Sequence, residues 1–443
     1  MTVIERFAAF AAEIDPQPEA VAAGKLCLLD WMGAAIAGSQ EAPATMLRRA
    51  FPGDGPARLV PDGEGRDPRT AALINATASH IVEVDDIYRS GLYHPGVVTI
   101  PAALALCEAE GRSGTDLLRA IIAGYEVSNR IARAVNPAHY EYWHTTATVG
   151  HFGAAAAACS ALGLDAGKTA HALATATTFA AGLRHAFSSD AMSKPLHAGR
   201  AAEGGVAAAL MAREGVTGVA DMLEGPRGFG MALARDVDWD GPMADLGTHW
   251  TICETTPKAY ACCGHNFAAL DAIGELMQEH DLDSSGIAEI RIASYRAALE
   301  ICGNPDPRSA AEGRFSLPWC AAVMASQGSV TPDAFTPDAL ADPVLHALAA
   351  RVVLELDEEA EARFPNARSA TVTITLTDGR EFERYRPTRK GDPDDPMSAD
   401  DLRKKFLALT RPVLGETPSE ALADHLFTIE RIANLHKIPV GQA

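Results

Sequence analysis

Over most of the chain, apolar residues recur at three- and four-residue spacing. That period predicts amphipathic helices over 18–37, 70–82, 98–110, 114–134, 146–162, 166–182 and 196–213, with Gly, Asn or Pro between them. Up to about residue 250 nothing alternates convincingly as strand. After about residue 266 the texture changes. Residues 267–280 still read as helix, but Ile287–Ala293 (IAEIRIA) alternates in twos, and so does Ala370–Leu376 (ATVTITL). Thr377-Asp378-Gly379 followed by Glu381–Tyr385 completes a hairpin, with Asp-Gly as the turn pair. Helical segments at 317–327 and 342–355 lie between the strands.

The segment Lys390-Gly391-Asp392-Pro393-Asp394-Asp395-Pro396-Met397 reads as a linker. Beyond it, Ser398 is a natural N-cap for a helix over 398–409, and a last helix is expected over 417–435. These closing helices match the texture of the first half, so the smaller α+β region reads as an insertion. The expected fold class is mainly α: an all-helical domain formed by 1–265 and 395–443, and a smaller α+β domain over 266–394.

Composition sharpens this picture. Hydrophobic residues make up 47 % of the 443 residues, aromatic residues only 6 %, and alanine dominates the apolar set, which favours closely packed helices. The net charge is −20, from 38 basic and 58 acidic residues. Such a balance argues against a nucleic-acid partner, which needs a clustered basic surface. It leaves open a small anionic substrate held in a locally positive pocket. The eight cysteines, at 27, 107, 159, 253, 262, 263, 302 and 320, form no Cys-x-x-Cys pair and sit mostly in apolar runs. They read as reduced, packed thiols, and their spacing offers no iron–sulfur ligand set. MTVIERFAAFAAEI carries acids and no apolar leader core, and no run of about 18 uncharged apolar residues suggests a membrane span. A cytoplasmic location is expected.

Candidate chemistry gathers at helix starts. His94 in YHPGVVTIPAALAL, His144 in YWHTTATVGHFGAAAA and Lys194 in DAMSKPLHAGRAAEGGVAAAL each stand just before, or in the first turn of, an alanine-rich helix. A helix N-terminus has unpaired N–H groups and a partial positive charge, so converging ends would bind carboxylate oxygens. The same field disfavours a protonated imidazole, keeping a histidine able to accept a proton. Lys194 would pair with a carboxylate or stabilise an enolate-like charge. Any one of these residues alone is more simply a surface or loop hydrogen-bonding group; three similar placements favour the functional reading.

A second constellation is His80-Ile81-Val82-Glu83-Val84-Asp85-Asp86-Ile87-Tyr88, whose acids follow a helical run and oppose its dipole. Glu83, Asp85 and Asp86 would fix a histidine tautomer, hold the lysine, or act as base. His80 with Asp85 and Asp86 offers metal-type donors, but no second cluster with ligand spacing accompanies it, so no metal is expected. A third is Lys258-Ala259-Tyr260-Ala261-Cys262-Cys263-Gly264-His265, where Lys258, Tyr260 and His265 are candidate substrate contacts. A cysteine nucleophile beside His265 is the weaker reading, since neighbours in sequence rarely form a catalytic pair. The glycines at 204–205 and 225–230 lack the setting of a nucleotide loop.

Taken in order, these segments resemble the MmgE/PrpD family, which includes 2-methylcitrate dehydratase, cis-aconitate decarboxylase and iminodisuccinate epimerase. The resemblance runs over nearly the whole chain. It rests on His80…Asp85-Asp86…His94-Pro95, Gly124-Tyr125-Glu126, Trp143-His144-Thr145, Gly150, Lys194-Pro195-Leu196-His197-Ala198-Gly199 and Glu224-Gly225. It continues through Lys258-Ala259-Tyr260, Arg314-Phe315-Ser316-Leu317-Pro318 and Lys390-Gly391-Asp392-Pro393. It implies a large helical domain, a smaller α+β domain, a homodimer, and catalysis without metal or organic cofactor. The family's catalytic positions fall on His94, His144 and Lys194. Three positions depart from its better-known members: Glu83 stands for Asp, Ile87 for a hydroxyl residue, and Trp319 for a tyrosine associated with decarboxylation. Ile87 cannot donate a hydrogen bond, and Trp319 donates only through its indole N–H.

The expected activity is that of a hydro-lyase removing the α-proton of a small polycarboxylate. Catalysis would fall to His94, His144, Lys194, Glu83 and Asp86, and substrate binding to Asp85, His80, Lys258, Tyr260, His265 and Trp319. A dicarboxylate epimerase is the alternative, with a decarboxylase or a non-catalytic carboxylate binder behind it.

Overall fold

The computed structural model describes residues 1–438 except Ser188, Asp190 and Asn366. It is mainly helical and divides into two compact units. The larger holds Met1–Ile81, Asp85–Pro257 and the described residues from Ser398; the smaller holds Val82–Val84 and Lys258–Met397. The chain enters the smaller unit at Lys258, ahead of the expected residue 266, and the three-residue segment Val82–Val84 belongs there too.

In the larger unit, the helices Pro68–Ser79, Gly96–Ala109, Gly114–Val135, Gly150–Leu162 and Ser193–Arg213 pack on one another. Small residues let them approach closely. A Cβ at Gly124 would lie 2.3 Å from Thr99 Cγ2 and 2.6 Å from the Gly153 carbonyl, so only glycine fits where these helices cross. Ala154–Ala158 are wholly buried, which is how an alanine run becomes core without large side chains. Val3–Glu13 also folds as a helix, opened by a capping box between Thr2 and Glu5.

The helix Pro18–Gly38 is long and apolar enough to cross a membrane by length and composition, yet 67 % of that window is buried inside the unit. One partner is the helix Ala399–Leu414, whose Phe406 and Leu409 lie 3.3 and 3.4 Å from where a Gly33 Cβ would stand. Lys405 Nζ donates to Asp30 Oδ1 across the same contact at 2.5 Å.

The smaller unit is built on a four-stranded sheet in the order Val352–Leu356, Ile287–Ser294, Ala370–Leu376, Glu381–Arg386. The first pair is parallel and the other two antiparallel. Period-two alternation sends Ile287, Ile290, Ile292, Val372 and Ile374 into the core. The Asp-Gly hairpin forms as expected, with Gly379 at φ +87°. The helices Phe267–Glu279 and Leu317–Gln327 pack together, and the first also covers the hairpin strands.

The expected helix over 342–355 is corrected: it stops at Ala349, and Val352–Leu356 is a strand. Its Val-Val pair suits a strand, and parallel pairing of Ile290 with Val352 overrides the helical period. The expected helices 70–82 and 166–182 end early, at Ser79 and Thr177. Glu83, Asp85 and Asp86 therefore lie in the loop beyond the helix, and Glu83 takes a left-handed backbone (φ +57°).

Candidate functional site

His94 directly precedes Pro95, which caps the helix Gly96–Ala109; His144 caps the short helix Thr145–Thr148; Lys194 lies in the first turn of Ser193–Arg213. The three helix starts gather in the larger unit around His80, the residue that closes Pro68–Ser79. The His80 ring stacks on His144 at 5.8 Å between centroids and meets His94 edge-on at 5.0 Å.

Asp85 ties two of these rings. Its Oδ2 lies 2.8 Å from His80 Nδ1 and 2.9 Å from His94 Nδ1. His94 Nδ1 also lies 2.8 Å from the Asp86 carbonyl, so it faces two oxygen acceptors and must carry the proton. The reactive atom of His94 is therefore Nε2. Burial holds His80 at a pKa of about 3, against the opposing pull of Asp85. It is neutral near pH 7 and likewise donates through Nδ1, and its buried Nε2 has no hydrogen-bond partner among the described residues.

Asp86, expected to act in catalysis, is hydrogen-bonded within the scaffold. Tyr125 Oη donates to its Oδ2 at 2.7 Å, and the amide of Gly96 donates to its Oδ1 at 3.0 Å. The carboxyl thus satisfies an orphan N–H at the start of the helix that follows His94. Desolvation pushes its pKa up to about 7, with the Tyr125 and Gly96 hydrogen bonds opposing. A side chain at position 96 would collide with this arrangement, its Cβ lying 2.7 Å from Tyr125 Oη.

His144 is buried, and desolvation together with neighbouring imidazoles drives its pKa well below the usual histidine range. Its Nδ1 faces His197 Nδ1 at 3.0 Å, and the Phe187 ring closes edge-on at 4.8 Å. Lys194 Nζ lies 5.8 Å from the centroid of the same Phe187 ring. Burial and the charge of Lys194 also lower the pKa of His197. His197 and Phe187 were missed as site residues. For His197 the signal was present: it lies three residues after Lys194 on one helix, hence on the same face.

His80, Asp85 and His94 place one donor atom each within 4.8 Å of one another, a set that could hold a metal ion. As they stand, the carboxylate is engaged by both imidazoles through hydrogen bonds, which is sufficient to orient them.

The remaining expected residues lie in the smaller unit. Glu83 and Lys258 form a buried ion pair at 2.8 Å. Tyr260 Oη donates to Asp271 Oδ1 at 2.7 Å, and His265 Nδ1 bonds the Tyr295 hydroxyl at 2.8 Å. Trp319 is wholly buried, and its indole N–H donates to the Ala334 carbonyl at 3.1 Å. Packed in this way, its side chain has no exposed surface. The polar atoms of Tyr260 and His265 named above are likewise spent on internal partners. None of the eight cysteines, all among the described residues, forms a disulfide. Burial raises the pKa of Cys262 well above the ordinary thiol range and lowers that of His265, the reverse of what a thiolate–imidazolium pair needs.

Comparison with known proteins gives the family. The MmgE/PrpD N-terminal domain model matches residues 5–241, and the MmgE/PrpD C-terminal domain model matches residues 260–426. A human cis-aconitate decarboxylase is 30 % identical over 381 residues, covering 80 % of this chain and 75 % of its own length. Cis-aconitate decarboxylase of Aspergillus terreus is 26 % identical over 432 residues, covering 91 % of this chain and 87 % of its own. With both domain models matched along its length, the chain belongs to the MmgE/PrpD family.

Proposed function

We propose that this protein is a lyase of the hydro-lyase type, which removes the α-proton of a small polycarboxylate and expels a β-hydroxyl as water, as 2-methylcitrate dehydratase does. The observation that carries the reading is His144: buried, neutral near pH 7, placed at a helix start, and held through Nδ1 by His197. When His144 donates its Nδ1 proton to His197, its Nε2 lone pair is the base. Lys194 and the helix N-termini bind the carboxylates and stabilise the dianion that forms as the C–H bond breaks. A proton next to a carboxylate is weakly acidic, so this electrostatic term is the largest. As the imidazolium, with Nδ1–H held by Asp85 and the Asp86 carbonyl, His94 delivers its second proton from Nε2 to the departing hydroxide.

The relatives named cis-aconitate decarboxylase suggest a second lyase reaction. Against it stands position 319, where a buried tryptophan with its N–H already bonded offers no hydroxyl to the reaction. An epimerase would use the same proton abstraction with a second base returning the proton from the opposite face. The presence of two imidazoles, His94 and His144, beside His80 keeps that reading alive.

The deciding experiment is incubation of chelator-treated enzyme in D₂O with 2-methylcitrate, citrate, cis-aconitate and iminodisuccinate, followed by proton NMR. An alkene product supports the dehydratase. Deuterium uptake with inversion and no alkene replaces it with the epimerase. Release of CO₂ from cis-aconitate replaces it with the decarboxylase.

A further inference from the structure

At one end of the sheet in the smaller unit, three chain segments converge: Ile287–Ser294 finishes, Ala370–Leu376 begins, and Glu381–Arg386 finishes, with Ser294 paired to Ala370 and Ala370 to Arg386. Just beyond these ends stand Tyr295, Arg368 and Arg389. Arg389 is fully buried and paired: Nε and Nη2 donate to the two oxygens of Asp392 at 3.0 and 2.7 Å, and Nη1 donates to the Gly264 carbonyl at 3.1 Å. Arg368 is different. It is only 7 % exposed, its Nε is buried without a hydrogen-bond partner, and among the described residues no carboxylate lies within ion-pair distance. Its guanidinium has the Phe364 ring 6.0 Å away.

The local charge does not balance. Arg368, Arg389 and Asp392 act on one another electrostatically, so two guanidinium groups share one carboxylate. Burial, joined by the charges of both guanidinium groups, lowers the pKa of His265 well below the usual histidine range. Among the described residues one buried positive charge is left uncompensated, an arrangement that is strongly destabilising unless a partner completes it. A hydroxyl and an imidazole stand at the same place, Tyr295 Oη and His265 Nδ1 at 2.8 Å.

We infer that Arg368 is the anchor of a binding site for a small oxyanion, a carboxylate or inorganic phosphate, within the smaller unit. The guanidinium presents a planar fork of donors to such a group. With His265 Nδ1–H donating to the tyrosine oxygen, the Tyr295 O–H is released to donate to the anion. The site is built from residues of the smaller unit alone and does not depend on the catalytic reading of His144 and Lys194.

The test uses the full-length protein in low-chloride buffer, titrated separately with inorganic phosphate and with succinate, reading melting temperature and binding heat. Saturable binding of at least one is expected in the wild type and in Lys194→Ala, which removes the carboxylate partner in the larger unit. Arg368→Met should weaken it by about tenfold or more, as loss of a charged hydrogen-bonding partner does. Without anion, that variant should melt no lower than the wild type, because an uncompensated charge has been removed. Should Arg368→Met fail to fold, hydrogen exchange at Ser369 and Ala370 in the unmutated protein gives the answer, since a bound anion should slow it. Binding of phosphate alone or succinate alone names the source, and either supports the site. No saturable binding in Lys194→Ala, full retention in folded Arg368→Met, or unchanged exchange at Ser369 and Ala370 under saturating anion would overturn it.

Discussion

The Nδ1 atoms of His144 and His197 stand 3.0 Å apart, so a single proton lies between them and its ownership decides which tautomer of His144 is present. If His197 accepts, His144 has a lone pair at Nε2; if His197 donates, it does not. His197 is thus a positioning residue for the base. His197→Ala should lower kcat about a hundredfold with little change in KM, within the range seen when a base is left in the wrong tautomer or orientation. His197→Asn, which can present an acceptor oxygen, should recover part of the loss and keep the pH profile. A KM change with intact kcat would instead make His197 a binding residue.

Lys194 lies in a helix start and faces the ring that covers His144. Lys194→Ala should cut turnover by roughly 10²–10³, as removal of a donor to a developing charge does, while circular dichroism and melting temperature stay near wild type. Near-normal turnover would take Lys194 out of the mechanism.

Glu83 and Lys258 form an ion pair 2.8 Å long, with Lys258 1 % and Glu83 6 % exposed. Lys258→Met should destabilise the protein by about 3–5 kcal/mol, because it strands a buried carboxylate. Adding Glu83→Gln should recover most of that loss, since the remaining penalty is then only a neutral amide. Denaturant titration of the two singles and the double measures the coupling; strict additivity would mean that the pair is not a pair in solution.

His151 lies buried in the helix Gly150–Leu162, its Nδ1 donating to the Ala147 carbonyl at 2.8 Å, and burial lowers its pKa to about 4. The unfolded chain binds a proton there near pH 6.5, so between about pH 6.5 and 4 the unfolded state holds more protons. Stability from this residue is complete above pH 6.5 and is lost as the pH falls toward 4. His151→Gln, which can keep the donor, should therefore gain on the wild type on acidification by up to about 3 kcal/mol. Melting curves at pH 7.5 and 5 check this; a constant gap between the two proteins would show that the imidazole titrates normally.

The sequence carried the placement of His94, His144 and Lys194, because a helix start is a local property written in the residues around it. It did not carry the ring contacts among His80, His94 and His144, which depend on where separate helices come to rest. The acids after His80 were visible as a conflict with a helix end; that Asp85 bridges two rings while Asp86 caps a helix is a matter of loop geometry. The internal partners of Trp319, Tyr260 and His265 were invisible in the sequence for a related reason. Whether a polar atom is available or already spent is decided by packing. Val352–Leu356 was misread because a short apolar run gives no period of its own, and its identity comes from the neighbouring strand.

The contact between Pro18–Gly38 and Ala399–Leu414 has a consequence for biosynthesis. The first helix leaves the ribosome early, and the Phe406 and Leu409 side chains that cover part of it are made only after the entire smaller unit has been translated. At roughly 5–20 residues per second, that interval lasts tens of seconds. During it, the face of Pro18–Gly38 that meets Phe406 and Leu409 lacks the cover it has in the folded protein, and the late helix is what completes its burial.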